Sequence, residues 1–80
     1  MRKWSNKILA NKITWLFESN DILTSSEAKD LYTLTLKALN NNIKEDLIIM
    51  LDYFKYMKKT KDEDVRDIYF ELVDILENIK

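Results

Sequence analysis

The side chains best able to do chemistry in this chain are carboxylates, lysines and tyrosines, because it holds no Cys and no His. The commonest acid–base group, the commonest thiol nucleophile and the best soft metal ligands are therefore missing. Glu71, Asp74 and Glu77 stand at i, i+3 and i+6, so a helix places them on one face. A solvated helix face accounts for that spacing. A carboxylate metal site in a helical bundle draws Glu-x-x-His partners from facing helices, which this chain cannot supply. Asp62, Glu63 and Asp64 are consecutive and fan out around a helix instead of converging. Without Gly there is no glycine-rich phosphate loop. These residues point to a protein that is not an enzyme, takes no cofactor or metal, and works by contact.

The contact candidates lie elsewhere. The run Tyr53-Phe54-Lys55-Tyr56-Met57-Lys58-Lys59-Thr60-Lys61 gathers four lysines and two tyrosines. On one reading Lys55, Lys58 and Lys59 complement the dipole at a helix C-terminus. On the other, the run is a basic, aromatic surface for an acidic partner or anionic lipid head groups. There each lysine contributes about 1 kcal/mol. A nucleic-acid role fits poorly, since Asp62, Glu63 and Asp64 repel phosphate. Three more sets of side chains fall off the expected core. Trp4, Ile8 and Trp15 lie on the far side of the first helix. Ile49, Tyr53 and Tyr56 make a second strip on the third helix. Phe70 sits among Asp67, Glu71 and Asp74. Each strip either packs on a second neighbouring helix or stays exposed and docks a partner. Phe70 is a lone surface aromatic or a contact residue.

The elements that position these residues follow from apolar spacing. Without Gly or Pro, sharp breaks and positive-φ turns are hard to build, whereas helices joined by short polar loops are easy. The first helix buries Leu9, Ile13, Leu16 and Phe17 and ends at Asn20-Asp21, where Asn20 suits a left-handed cap. Thr24 and Glu27 make a capping box for the second, which buries Ala28, Leu31, Tyr32, Thr35, Ala38 and Leu39. Asn40-Asn41-Asn42 is a turn, with Asn42 as N-cap of the third helix. That helix carries Ile43, Leu47, Met50, Leu51, Phe54 and Met57 on its stripe. Thr60 and Glu63 repeat the capping-box pattern before the fourth. Its stripe is Val65, Ile68, Tyr69, Leu72, Ile75, Leu76 and Ile79. Short connections make sequential helices antiparallel neighbours. The expected fold is all-α, an antiparallel up-down-up-down four-helix bundle. Its helices span about 5–19, 25–39, 43–59 and 61–79 of a single domain covering 1–80.

Charge is balanced, with 13 basic against 14 acidic residues and a net charge of −1. That speaks against a dedicated nucleic-acid binder, and none of the four helices is strongly basic. The start, Met1-Arg2-Lys3-Trp4, is like that of a signal peptide, but Asn11 and Lys12 interrupt any apolar core for one. No stretch approaches the ~20 apolar residues of a membrane span. A cytoplasmic protein is expected, in keeping with the lack of Cys.

The order of segments resembles a known group. An amphipathic first helix ends at Glu18-Ser19-Asn20-Asp21-Ile22. A second carries Leu34-Thr35-Leu36-Lys37-Ala38-Leu39-Asn40. A third carries Glu45-Asp46-Leu47-Ile48-Ile49-Met50-Leu51-Asp52-Tyr53, and a fourth Asp67-Ile68-Tyr69-Phe70-Glu71-Leu72. From about Asn6 to Leu76 this layout resembles the enterocin A immunity family, which protects lactic acid bacteria from pediocin-like (class IIa) bacteriocins. The resemblance implies an antiparallel four-helix bundle in the cytosol. It implies as partner the membrane-bound mannose phosphotransferase permease with bacteriocin engaged, and so peripheral contact with the inner membrane face. The C-terminal half of the family largely decides which bacteriocin is resisted. Carried onto this chain, that region holds Tyr53, Lys55, Tyr56, Lys58, Lys59, Lys61 and Phe70, the expected partner-binding residues. Many members have a further C-terminal tail, whereas this chain stops at Lys80, so the bundle itself would carry specificity. The alternative is a small homodimeric interaction or regulatory module from a phage or mobile element, buried through Trp4, Ile8 and Trp15. The two readings predict a monomer or weak dimer and a firmer dimer, respectively.

Overall fold

A computed structural model describes residues 3–79. Among them are four α-helices and no strand: α1 (Asn6–Ser19), α2 (Ser25–Asn41), α3 (Lys44–Asp52) and α4 (Asp62–Glu77). A 3-10 turn over Tyr53–Tyr56 continues α3. The all-α expectation holds, and no helix among the described residues is long and apolar enough to cross a membrane.

Local chemistry explains where the helices start. The Ser5 hydroxyl accepts from the Ile8 amide and opens α1. Thr24 accepts from the Glu27 amide while the Glu27 carboxylate accepts from the Thr24 amide, so the expected capping box opens α2.

The helix ends differ from expectation. Asp21, not Asn20, takes the left-handed conformation after α1, with φ 57°. The Ile22 amide then donates to Phe17 O and the Asp21 amide to Glu18 O. This is the Schellman arrangement, which satisfies carbonyls that a helix end leaves free. Asn42 repeats it after α2, with φ 54° and the Ile43 amide donating to Ala38 O. Asn42 is therefore not the N-cap of α3. Ile43 occupies that position, with no side-chain cap. In both cases the next residue is an isoleucine, half-buried against the core.

The third helix is also shorter than its apolar stripe suggests. α3 stops at Asp52, and the chain leaves helical geometry at Met57. Bonds from α1 hold the following segment. Asn20 Oδ1 accepts from the Lys59 amide at 2.7 Å, and Asn20 Nδ2 donates to Thr60 Oγ1 at 2.7 Å. These contacts replace the helical bonds that 57–60 would otherwise make. They also engage the Thr60 hydroxyl, and the expected Thr60–Glu63 capping box does not form. α4 starts at Asp62 with no side-chain cap and ends at Glu77, short of 79.

Helix α1 lies at the centre of the packing. It buries Leu9, Ala10, Ile13, Leu16 and Phe17, and rests mainly on α2 and also on α4. The α2 face is Ala28, Thr35, Ala38 and Leu39. α3 and its 3-10 turn add Leu47, Met50, Phe54 and the following Met57; α4 adds Ile68, Leu72 and Ile75. Thr35 is the one buried polar residue among those described, its hydroxyl 3.6 Å from Met50 Sδ. Tyr69, expected on the core stripe, is exposed instead.

Candidate functional site

Six aromatic rings connect three elements into one chain of contacts. Phe17, buried on α1, meets Tyr53 at 5.7 Å and Phe54 at 6.4 Å between ring centroids. Tyr53 meets Tyr56 at 6.2 Å. On the other side Phe54 meets Tyr69 at 6.1 Å, and Tyr69 meets Phe70 edge-on at 5.9 Å. Such tilted and edge-on geometries suit the quadrupoles of aromatic rings. Phe17 and Phe54 anchor the chain in the core, while Tyr53, Tyr56, Tyr69 and Phe70 present rings to solvent. Phe70, at 60% exposure, is the most open of them.

The second strip, Ile49, Tyr53 and Tyr56, is covered only in part: Tyr53 touches Phe17 of α1, and all three side chains stay largely exposed. Ile49 is 55% exposed, and Tyr53 and Tyr56 lie in the 3-10 segment itself. Ile49 and Tyr53 line a small cleft of about 120 Å³ with Leu31 and Leu34 of α2.

The lysines divide by environment. Lys55 Nζ sits 5.2 Å from the centroid of the Tyr56 ring, a cation–π contact. Lys55 and Lys58 border an open cleft of about 600 Å³ between the 3-10 turn and α4, with Asp52, Asp62 and Arg66 on the same rim. Lys59 pairs with Asp21 at the end of α1. Lys61 is exposed at the start of α4. The last turn of α3 contains no basic residue, and Lys58 and Lys59 lie beyond its 3-10 extension. Dipole complementation thus applies to Lys55 alone among the three.

Of the expected site residues, Tyr53, Lys55 and Tyr56 come together directly. Phe70 joins them through Tyr69, Phe54 and Phe17, and Lys58 joins through the cleft it shares with Lys55. Lys59 is turned to Asp21. Sequence reasoning missed Tyr69, Arg66 and Leu34. Arg66 follows Val65 on the flank of the apolar stripe, and Leu34 lies one residue off the Thr35–Ala38 face, so both could be read as peripheral. Among the described residues no three metal-ligating side chains converge. The arrangement is one that can bury rings against a partner and pair its lysines with acids.

A scan against protein-family models, a search of curated proteins and a search of solved structures each found no match to this chain.

Proposed function

We propose that the protein is a contact-acting immunity protein against a pediocin-like bacteriocin, docking from the cytosol on the engaged permease. The observation that carries this reading is the exposed ring and lysine surface of the 3-10 turn and α4, in the half of the chain where the resemblance puts specificity. The finer architecture proposed is antiparallel and up-down-up-down. In its support, Asn6 at the start of α1 bonds Asn40 near the end of α2, and Asn20 after α1 bonds Thr60 before α4. Rings on a rigid core lose little freedom on binding, which suits them as anchors.

The test is survival of a bacteriocin-sensitive strain expressing this chain, challenged with several pediocin-like peptides. Protection against one peptide or a few is expected. A Lys55→Glu, Lys58→Glu double variant should then lose about tenfold in protective dose, the equivalent of about 1.4 kcal/mol of binding. A folded, expressed protein that protects against none of the panel would overturn the reading. A second reading, the homodimeric module, is favoured by the half-exposed Ile8 and Trp15 on the outer face of α1. Sedimentation showing a concentration-dependent dimer that Trp15→Ala abolishes would support it; a monomer throughout would remove it.

A further inference from the structure

The tryptophans lie apart from the surface just described and line a pocket of their own. It measures about 320 Å³ and is open to solvent between the outer face of α1 and the first half of α4. Trp4, Lys12 and Trp15 line one side, and Asp64, Asp67 and the buried Ile68 the other. Indole faces carry negative quadrupole potential, and carboxylates carry full charge, so the indoles of one wall and the carboxylates of the other each favour a cation.

Half of this pocket already holds cations. Lys12 Nζ lies 4.6 Å and Lys3 Nζ 5.1 Å from the centroid of the Trp4 ring. Lys3 Nζ is also 3.8 Å from Asp67. The Lys3 ammonium thus sits between an indole and a carboxylate, while that of Lys12 lies on the same indole. The other half repeats the same pair of groups, Trp15 and Asp64. Trp15 is 50% exposed, and among the described residues neither a lysine over its ring nor an ion pair to Asp64 occurs.

We infer that the Trp15–Asp64 half of this pocket binds a guanidinium group presented by a basic peptide segment, in the way that Lys3 occupies the Trp4–Asp67 half. A guanidinium suits the site better than a second ammonium. It is planar, stacks on an indole while donating to a carboxylate, and gives up water more readily. A peptide suits it better than a free small cation, because Asp64, Asp67, Glu71 and Asp74, at i, i+3, i+7 and i+10, line one acidic face of α4, the face that carries the pocket. That charge draws the flanking basic residues of a peptide and steers their approach. The inference does not depend on the proposed immunity function, which uses a different surface.

Trp4 and Trp15 are the two tryptophans of the chain, so their indole N–H signals in an NMR titration report on the pocket directly. The probe is a short peptide of alternating Arg and Ser, beside a copy with citrulline for each Arg. Citrulline keeps the planar shape and removes the charge. The arginine peptide should shift the Trp15 indole signal saturably, with the citrulline copy weaker by about tenfold or more. Asp64→Asn, followed by the Trp15 indole signal, and Trp15→Ala, followed by the remaining Trp4 indole signal and the Asp64 backbone amide, both at exposed positions, should each weaken binding by about tenfold with the helical circular dichroism unchanged. Added salt should weaken it further. Equal binding of the citrulline copy, full binding by Asp64→Asn in folded protein, or no saturable shift at millimolar peptide would each overturn the inference.

Discussion

Glu27 carries the clearest electrostatic signature of any single side chain here. The hydrogen bond from the Thr24 amide, and then that from the Thr24 hydroxyl, hold its carboxyl below the usual glutamate value. A carboxyl whose folded value is depressed adds stability that is fully present above its unfolded value, and loses it as pH falls through the folded one. The window therefore opens just below the unperturbed value of about 4.3 and extends downward. Glu27→Gln should lower the melting temperature at neutral pH and narrow the gap to the parent as acid is added. Thermal unfolding at a series of pH values checks this. Parallel curves for the two proteins would show that the cap contributes no pH dependence.

At the scale of elements, the ends of α1 and α2 solve one problem in one way. A left-handed residue after a helix is most often Gly, and this chain has none. Asp21 and Asn42 take that role, as short polar side chains tolerate the conformation better than others. Each is followed by an isoleucine, Ile22 or Ile43, whose amide closes the Schellman bond and whose side chain meets the core. Asn42→Ala should cost about 1 kcal/mol, since a Cβ without a compensating polar group is strained there. Asn42→Gly should cost little or nothing. Denaturant midpoints of the two variants test this, and equal losses would mean that the side chain of Asn42, not its backbone angle, matters. The short α3 belongs to the same scale. Asn20, one side chain beyond α1, holds Lys59 and Thr60, just past the point where the third segment stops being helical.

Across the whole molecule, the buried residues that carry stability differ from the exposed rings proposed for contact. A domain of this size has a margin of about 5 kcal/mol, and truncating a fully buried leucine costs about 2–5 kcal/mol. Leu72 is fully buried on α4, so Leu72→Ala should leave much of the protein unfolded at room temperature. Phe70, two positions earlier and largely exposed, should tolerate Phe70→Ser within about 0.5 kcal/mol. Circular dichroism in denaturant compares them, and a Phe70→Ser protein as unstable as Leu72→Ala would make that ring structural. The surface also divides by the kind of ring it shows. Rings and lysines gather about the 3-10 turn, while tryptophans and acids gather between α1 and α4. One small domain thus offers two faces of different chemistry.

Apolar periodicity in the sequence alone determined the all-α class, the number of helices and most of the core. Leu9, Ile13, Leu16, Leu47, Ile68 and Leu72 are buried as their spacing implies, and Ser5 and Thr24 sit at or beside the starts they mark. These features are local, since a helical period and a capping hydroxyl act within one or two turns of chain. Of the candidate residues, the place of Phe70 off the apolar stripe was legible for the same reason, while the sequence left Tyr53 and Tyr56 either packed or exposed. Tertiary structure decided what depends on distant partners. It ended α3 at Asp52, tied Lys59 to Asn20 and Asp21, placed Asn42 behind α2 instead of before α3, and left Ile49, Tyr53 and Tyr56 largely uncovered. It also set Trp15 and Asp64 on facing walls of one pocket. Those two residues are far apart along the chain, and no period within either helix records that they meet.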